Sequence, residues 1–188
     1  MRAEDYLESI DFAATWKPDF SPLFENPRVF RALVLDLIRP FRGVEFDKIA
    51  CPESMGFLLG AAVSAELKKG LIAVRKGGKL PNIKGNIVGQ SFRDYSRQTL
   101  RFEVNKTLIK PGDKVLVIDD WLETGGQVKG LIKLLEKCGA IVIGISVLGC
   151  NTKSRFSQFL GGYQLHGILN YEGSKDRDLT QRLDRAIE

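Results

Sequence analysis

Apolar residues recur along the chain in two patterns, which predict helices alternating with strands. Helical spacing is seen at positions 29–38, with Asn26 as a plausible N-cap, Pro27 at the first helical position and Pro40 beyond the end. Two more helices are predicted over about 57–69, ended by Gly70, and over about 128–137, closed by Cys138 and Gly139. Short continuous apolar runs predict buried strands over 46–51, 71–74, 114–118 and 141–148.

The order of these elements predicts an α/β fold with a doubly wound, mostly parallel sheet. Positions 76–91 are rich in glycine and predict an excursion, while 92–104 has the partly alternating character of a hairpin beside the sheet. Positions 119–127 are predicted to form a polar loop between a strand and a helix. No linker divides the chain, so we expect one domain over 1–188 with a charged, peripheral tail at 172–188.

Composition limits the partners and the compartment. The 188 residues are 44% hydrophobic and 27% charged, and the net charge of +5 favours an anionic partner. The basic residues are dispersed except at 75–79, a glycine-rich cluster that indicates a phosphate pocket and makes nucleic acid unexpected. Three widely spaced cysteines, the absence of an N-terminal apolar signal and the absence of a run of about 20 apolar residues predict a cytoplasmic protein away from membranes.

The most informative motif follows the predicted strand 114–118. Two adjacent acids, Asp119 and Asp120, precede Thr124, Gly125 and Gly126 at the start of a helix. A turn of small residues lets backbone N–H groups converge on a phosphate, and the helix N-terminus adds partial positive charge. The two carboxylates can hold ribose hydroxyls, directly or through a magnesium ion and its waters. The sequence contains neither a Walker motif nor a dinucleotide fingerprint.

This motif resembles the signature of the type I phosphoribosyltransferases. Further segments resemble landmarks of the adenine subgroup in the same order, at 21–27, 53–57 and 74–81. The resemblance spans about residues 12–150. It implies a phosphoribosyltransferase fold with a small hood, contributed by 1–25, and a flexible hairpin lid.

The family resemblance also implies a mechanism without a protein nucleophile, in which a base nitrogen attacks the ribose as pyrophosphate leaves. The implied cofactor is Mg²⁺, with phosphoribosyl pyrophosphate as co-substrate and a purine base as acceptor. Asp119 and Asp120 would hold the ribose hydroxyls and, through waters, the metal. Residues implied to contact phosphoribosyl pyrophosphate are Glu53, Ser54, Met55, Gly56, Arg75, Lys76, Lys79, Trp121, Leu122, Glu123, Thr124, Gly125, Gly126 and Gln127.

The lid and the base pocket are also implied by the resemblance. Asp94 and Tyr95 match a lid motif, so Asp94 would assist proton transfer and Tyr95 would close over the site, although an exposed hairpin acid is an equal alternative for Asp94. Trp121 is either a stacking partner for the purine or a core residue. The basic loop can serve a neighbouring subunit in relatives, which implies a homodimer.

Several residues depart from the adenine pattern. Met55 stands where an arginine is usual, Gln127 where threonine or serine is usual, and Lys17 in an element that usually carries arginine. The leading hypothesis is a purine phosphoribosyltransferase that prefers adenine and forms a nucleoside monophosphate and pyrophosphate. The alternatives are an enzyme for xanthine or another 6-oxopurine, and a noncatalytic regulator that senses phosphoribosyl pyrophosphate.

Overall fold

The computed structural model describes residues 1–10, 19–81, 85–94, 98–153 and 162–172. Its helices are α1 (Ala3–Leu7), α2 (Ser21–Glu25), α3 (Pro27–Ile38), α4 (Met55–Leu67) and α5 (Gly126–Lys137), with short 3-10 helices at Arg39–Phe41 and Lys106–Leu108. Its strands are β1 (Lys48–Pro52), β2 (Gly70–Lys76), β3 (Ile87–Arg93), β4 (Thr99–Asn105), β5 (Lys114–Leu122), β6 (Ile141–Asn151) and β7 (Gln164–Tyr171).

The strands form one seven-stranded sheet in the order β3-β4-β2-β1-β5-β6-β7. Five neighbouring strands, β2, β1, β5, β6 and β7, run parallel. β4 pairs antiparallel with β2, and β3 and β4 form an antiparallel hairpin. The predicted α/β class with a mostly parallel sheet is therefore confirmed. Because the carboxyl ends of parallel strands meet at one edge, the segments after β1, β2 and β5 are brought together there.

Helices cover both faces of the sheet, which explains the continuous apolar runs in the sequence. Along β5, Val115 and Val117 belong to the core cluster under α5, whereas Leu116 and Ile118 belong to the cluster under α1–α4. The first helices thus help to bury one face, and α5 covers the other. No helix in the described part of the chain is long and apolar enough to cross a membrane.

The element boundaries agree with the sequence where capping residues set them. The Asn26 side chain accepts hydrogen bonds from the N–H groups of Arg28 and Val29, as its predicted N-cap role requires, and α3 begins at Pro27. The end of α4 differs from the prediction: the residue in left-handed conformation is Lys68, with φ of +53°, and Gly70 already belongs to β2.

Two other predicted boundaries were wrong, and one strand was not predicted. β5 continues through Asp119 to Leu122, because these residues still pair with β6, so the predicted polar loop 119–127 shrinks to three residues before α5. The hairpin begins at Ile87, inside the predicted excursion 76–91, because 87–93 pairs along its length with 99–105. β7 was not predicted, since its apolar residues are interrupted by polar ones.

Candidate active site

The two acids of the central motif lie at the carboxyl end of β5 in different environments. Asp119 is only 1% exposed. Its Oδ1 accepts the N–H of Asp120 at 2.9 Å, and its Oδ2 accepts an N–H of the Gln127 side chain at 2.9 Å. Burial, followed by the neighbouring charge of Asp120, raises the pKa of Asp119 well above its usual range. Asp120 is half-buried, so it offers the more accessible carboxylate.

The turn after β5 has the features of an anion cradle. Gly125 has a φ of +74°, a conformation in which glycine is favoured, and it caps the start of α5. Among the described residues, no hydrogen bond to the backbone N–H groups of Thr124 and Gly125 is found. These donors and the helix N-terminus can receive a phosphate. The side chain of Gln127, which the resemblance implies to contact phosphoribosyl pyrophosphate, donates a hydrogen bond to Asp119.

The segment after β1 lies against this turn. A side-chain carbon on Gly56 would lie 3.1 Å from Asp119 Oδ1, so the absence of a side chain lets α4 begin beside the buried acid. The Glu53–Ser54 peptide bond is cis and Ser54 is exposed. Met55 packs against the core cluster under α1–α4, so its side chain fills apolar space where relatives are expected to carry a cation.

The predicted basic residues, at the end of β2 and just after it, contact one acid. Glu53 accepts hydrogen bonds from Arg75 Nε at 3.1 Å, from the backbone N–H of Lys76 at 3.0 Å and from Lys79 Nζ at 2.6 Å. These contacts, with that of Lys79 the largest cause, lower the pKa of Glu53 to about 2. Two of the three predicted pyrophosphate cations are therefore paired with a carboxylate in the absence of ligand.

The β3–β4 hairpin reaches the turn between β5 and α5. Asp94 is half-buried, and its Oδ1 accepts the N–H of Gln98 at 2.9 Å, which organises the hairpin turn. A side-chain carbon on Gly126 would lie 2.1 Å from the carbonyl oxygen of Arg93, so β3 ends directly beside the start of α5. The hairpin thus brings Asp94 to the edge of the site. The predicted lid residue Tyr95 lies outside the described residues.

Trp121 is half-buried and packs against other protein groups. Its ring stacks on Phe20 with centroids 5.4 Å apart, and its Nε1–H donates to the hydroxyl of Tyr171 at 2.7 Å. A side-chain carbon on Gly149 would lie 2.2 Å from the indole, so only glycine leaves room for it there. Of the two interpretations of Trp121, this packing favours a core residue over an indole that stacks freely on a purine.

Tyr171, Asn151 and Phe20 were missed by sequence reasoning. The Tyr171 hydroxyl donates a short hydrogen bond to Glu123 Oε2, and Asn151 Nδ2 donates to Glu123 Oε1 at 3.4 Å. Burial raises the pKa of Tyr171 above its usual range. The sequence offered one signal for β7, the apolar residues Leu165, Ile168 and Leu169. The hydrogen bond between Tyr171 and Glu123 could not be predicted, because it joins residues 48 positions apart and depends on the order of strands in the sheet.

Comparison with known proteins identifies the family. A model of the phosphoribosyl transferase domain matches residues 24–155. The chain belongs to the phosphoribosyltransferase family. Adenine phosphoribosyltransferase of Jannaschia sp. strain CCS1 is 39% identical over 162 residues, covering 82% of this chain and 86% of that protein. Adenine phosphoribosyltransferase of Roseobacter denitrificans is 33% identical over 178 residues, covering 90% of this chain and 97% of that protein.

Solved structures of phosphoribosyltransferases share the fold. Adenine phosphoribosyltransferase of Rhodothermus marinus superposes with a TM-score of 0.81 at 29% identity, covering 89% of this chain and 97% of that one. The Giardia lamblia enzyme complexed with 9-deazaadenine gives a TM-score of 0.81 at 28% identity, covering 92% and 99%. The predicted family, its fold and the predicted enzyme class, a phosphoribosyltransferase, are confirmed.

The two acids at the end of β5 have a chemistry that fits a magnesium ion bound together with a substrate phosphate. The described residues contain no group of three histidine, cysteine, aspartate or glutamate side chains that could hold a metal ion. Both oxygens of Asp119 already accept hydrogen bonds, whereas Asp120 uses Oδ1 to accept the N–H of Trp121 at 2.8 Å. Mg²⁺ commonly keeps its waters and binds one or two carboxylates plus substrate phosphates, which this arrangement can accommodate.

Proposed function

We propose that this phosphoribosyltransferase transfers the phosphoribosyl group of phosphoribosyl pyrophosphate to adenine, forming adenosine monophosphate and pyrophosphate. The observation that carries the proposal is the turn after β5, where open backbone N–H groups and a helix N-terminus adjoin two acids. The named relatives and structures favour this activity over a 6-oxopurine enzyme or a regulator, because each is called an adenine phosphoribosyltransferase.

Each part of the site has a role in the proposed reaction. The N–H groups of Thr124 and Gly125 bind the 5′-phosphate, and Asp120 holds a ribose hydroxyl. Asp119, which accepts a hydrogen bond from Gln127, is buried beside Asp120 and does not contact the ribose directly. The base nitrogen forms a bond to C1 of the ribose as the bond from C1 to the pyrophosphate oxygen breaks, and the nitrogen loses its proton. Asp94 at the hairpin turn is positioned at the edge of the site for that proton.

The leaving pyrophosphate would bind where the segments after β1 and β2 meet. Arg75, Lys76 and Lys79 supply positive charge there, and the anion competes with Glu53 for two of them. Mg²⁺ supplies further charge for the departing group when bound with the substrate. Asp120, through waters, is the residue that would hold it on the protein side.

A base panel tests the proposed reaction. Purified protein with phosphoribosyl pyrophosphate and Mg²⁺ should convert adenine in a spectrophotometric assay, with kcat/KM at least tenfold above that for hypoxanthine, guanine, xanthine or orotate. Turnover should stop when the metal is chelated. Turnover of a 6-oxopurine in preference to adenine would contradict the proposed base, and binding without turnover of any base would favour the regulator.

The acids provide the control for that assay. Asp119→Asn and Asp120→Asn should each abolish turnover, while the circular dichroism spectrum stays that of the wild type. Asp120→Asn removes the accessible carboxylate of the ribose site, and Asp119→Asn replaces an oxygen that accepts a hydrogen bond with an amide nitrogen that cannot. Asp113→Asn, which alters an acid paired with Lys48 at the start of β5, should keep turnover. Retained activity in the Asp120 variant would refute its role.

We further propose that the protein is a homodimer joined through α4. Leu58 is 48% exposed. Helical spacing places Ala61, Ala62 and Ala65 on the same face, and Ala61 and Ala65 are also exposed. Glu66 is the one charged residue of α4, so this face is apolar along the helix. A second copy of the chain would remove it from water. A dimer also suits a basic loop that can serve a neighbouring site.

We propose a cytoplasmic location. Cys51, Cys138 and Cys150 are free thiols; Cys51 and Cys150 are buried, and Cys150 belongs to the core cluster under α5. Burial raises the pKa of Cys51 to about 12 and of Cys150 to about 11, which keeps both as unreactive thiols. Such cysteines suit a reducing compartment. Cell fractionation with an antibody against the protein would test the location.

A further inference from the structure

Glu123 is an unexpected residue for a turn that binds phosphate. It precedes Thr124 and Gly125, whose N–H groups are available in the described part of the chain, and it carries the same sign of charge as the ligand. A carboxylate free to move near a phosphate would oppose binding by electrostatic repulsion. The structure holds this carboxylate to one side.

The groups that hold Glu123 come from two other strands. Asn151 ends β6 and Tyr171 ends β7, and these two residues are register partners. Asn151 donates to Oε1 of Glu123 at 3.4 Å and the Tyr171 hydroxyl donates to Oε2. The carboxylate therefore reaches from the end of β5 across β6 to β7, the order in which these strands lie in the sheet.

Trp121 completes the arrangement. Its Nε1–H donates to the Tyr171 hydroxyl oxygen at 2.7 Å, which leaves the hydroxyl hydrogen for Glu123. Tyr171 is 1% exposed, and its ring lies 5.5 Å from that of Trp121 at 34°. A buried donor in fixed orientation restrains its acceptor more than an exposed one, because solvent competes less for the hydrogen bond.

We propose that Tyr171 and Asn151, acting through the Glu123 carboxylate, are positioning residues that hold the phosphate turn in the shape that binds a 5′-phosphate. The proposal rests on the proposed function for the identity of the ligand. It assigns to the ends of β6 and β7 a part in binding the sugar phosphate, and none in binding the pyrophosphate, whose groups follow β1 and β2. Loosening the contact would lower affinity for a sugar 5′-phosphate selectively.

The test measures binding without turnover. Isothermal titration of the full chain with ribose 5-phosphate, and separately with magnesium pyrophosphate, compares wild type with Tyr171→Phe, which removes the hydroxyl and keeps the ring. Losing a hydrogen bond to a charged group is expected to raise the Kd for ribose 5-phosphate roughly tenfold. The Kd for pyrophosphate should stay within about twofold, since that site is on other strands.

The chain offers a matched control. Tyr163 donates to Glu136 Oε1 at 2.5 Å. Glu136 is exposed in the last turn of α5, at the opposite end of the helix from the turn that follows β5. Tyr163→Phe should leave both dissociation constants unchanged. Unchanged ribose 5-phosphate affinity in Tyr171→Phe would overturn the proposal, as would an equal loss of affinity for both ligands.

A second pair of variants applies even if Tyr171→Phe does not fold. Glu123→Ala should weaken ribose 5-phosphate binding roughly tenfold, and Glu123→Gln should recover part of that loss because its amide oxygen still accepts from Tyr171. Equal affinities in the two variants would overturn the positioning role. A wild type that binds ribose 5-phosphate but turns over no base would contradict the enzymatic proposal alone, and a wild type that does not bind it would contradict both.

Discussion

At the scale of single residues, Glu53 partly neutralises the positive charge at the end of β2 and in the loop that follows it. Its side chain is 13% exposed and accepts from Arg75, Lys79 and the backbone of Lys76. The loop is thereby ordered but partly neutralised, and an anionic ligand must replace the carboxylate to use its cations. Asp119 illustrates the opposite case, because burial beside a second acid disfavours its charged form.

The lowered pKa of Glu53 predicts a pH-dependent stability. A folded pKa of about 2, below the ordinary value of 4.5, means that Glu53 stabilises the protein above about pH 4.5 and that this stabilisation is lost as the pH falls toward 2. Solvent screens the half-exposed Lys79, so we expect Glu53→Gln to cost about 1 kcal/mol at pH 7. Urea unfolding of both proteins from pH 7 down to pH 3 would measure this difference.

Glu66→Gln is the control for that series. Glu66 is exposed, and no hydrogen bond or ion pair of its side chain is found within the described ranges. This variant should match the wild type at every pH. A stability difference for Glu53→Gln that does not shrink as the pH falls below 4.5 would show that the ion pairs are not its cause.

At the scale of elements, two glycines let the hairpin lie on α5. Gly126 and Gly130 are four residues apart and so share one face of the helix. A side-chain carbon would lie 2.1 Å from the Arg93 carbonyl oxygen at Gly126 and 2.7 Å from Phe92 Cβ at Gly130. Both contacts involve the end of β3, so this bare face sets how closely the hairpin approaches the phosphate turn.

Gly130→Ala should therefore destabilise the protein, although alanine favours helix by about 1 kcal/mol. Phe92 is 8% exposed and packs against Phe102, so it has little room to move. We expect a net loss of about 1 to 2 kcal/mol in urea unfolding from overpacking. Gly162→Ala should be neutral, since no described residue lies within 4 Å of a side-chain carbon added there. A gain in stability for Gly130→Ala would contradict close packing of β3 on α5.

At the scale of the whole molecule, the proposed dimer gives α4 two functions. Its second residue, Gly56, lies close to Asp119, since a side-chain carbon there would be 3.1 Å from Asp119 Oδ1, and the outer face of the helix is apolar. One side of α4, with Leu59 and Val63 fully buried, contributes to the core. The opposite side would contribute to the subunit contact, so subunit association and site geometry share one helix.

Leu58→Glu should convert the dimer to a monomer, because the interface would then bury two unpaired carboxylates. Size-exclusion chromatography with light scattering would measure the mass. Leu108→Glu is the matched control, since Leu108 is 46% exposed but lies outside α4 in the 3-10 helix Lys106–Leu108. A wild type that is monomeric, or a dimer that survives Leu58→Glu, would contradict this interface.

The sequence by itself determined the α/β class, the parallel core strands and the glycine turn that we propose binds phosphate, because these depend on local patterns. Apolar runs mark strands buried on both faces, Asn26 and Pro27 mark a helix start, and Thr124 to Gly126 marks an anion-binding turn. The resemblance of ordered motifs supplied the family. The roles assigned to the individual site residues stay predictions.

Only the tertiary structure decided how distant residues combine. The extension of β5 past its acids depends on pairing with β6, and the contact of Glu123 with Tyr171 depends on β7 lying two strands away. The same holds for Gln127, which turns to Asp119, and for Glu53, which gathers cations from β2. Such contacts join positions far apart in sequence, and hydrophobic periodicity carries no information about them.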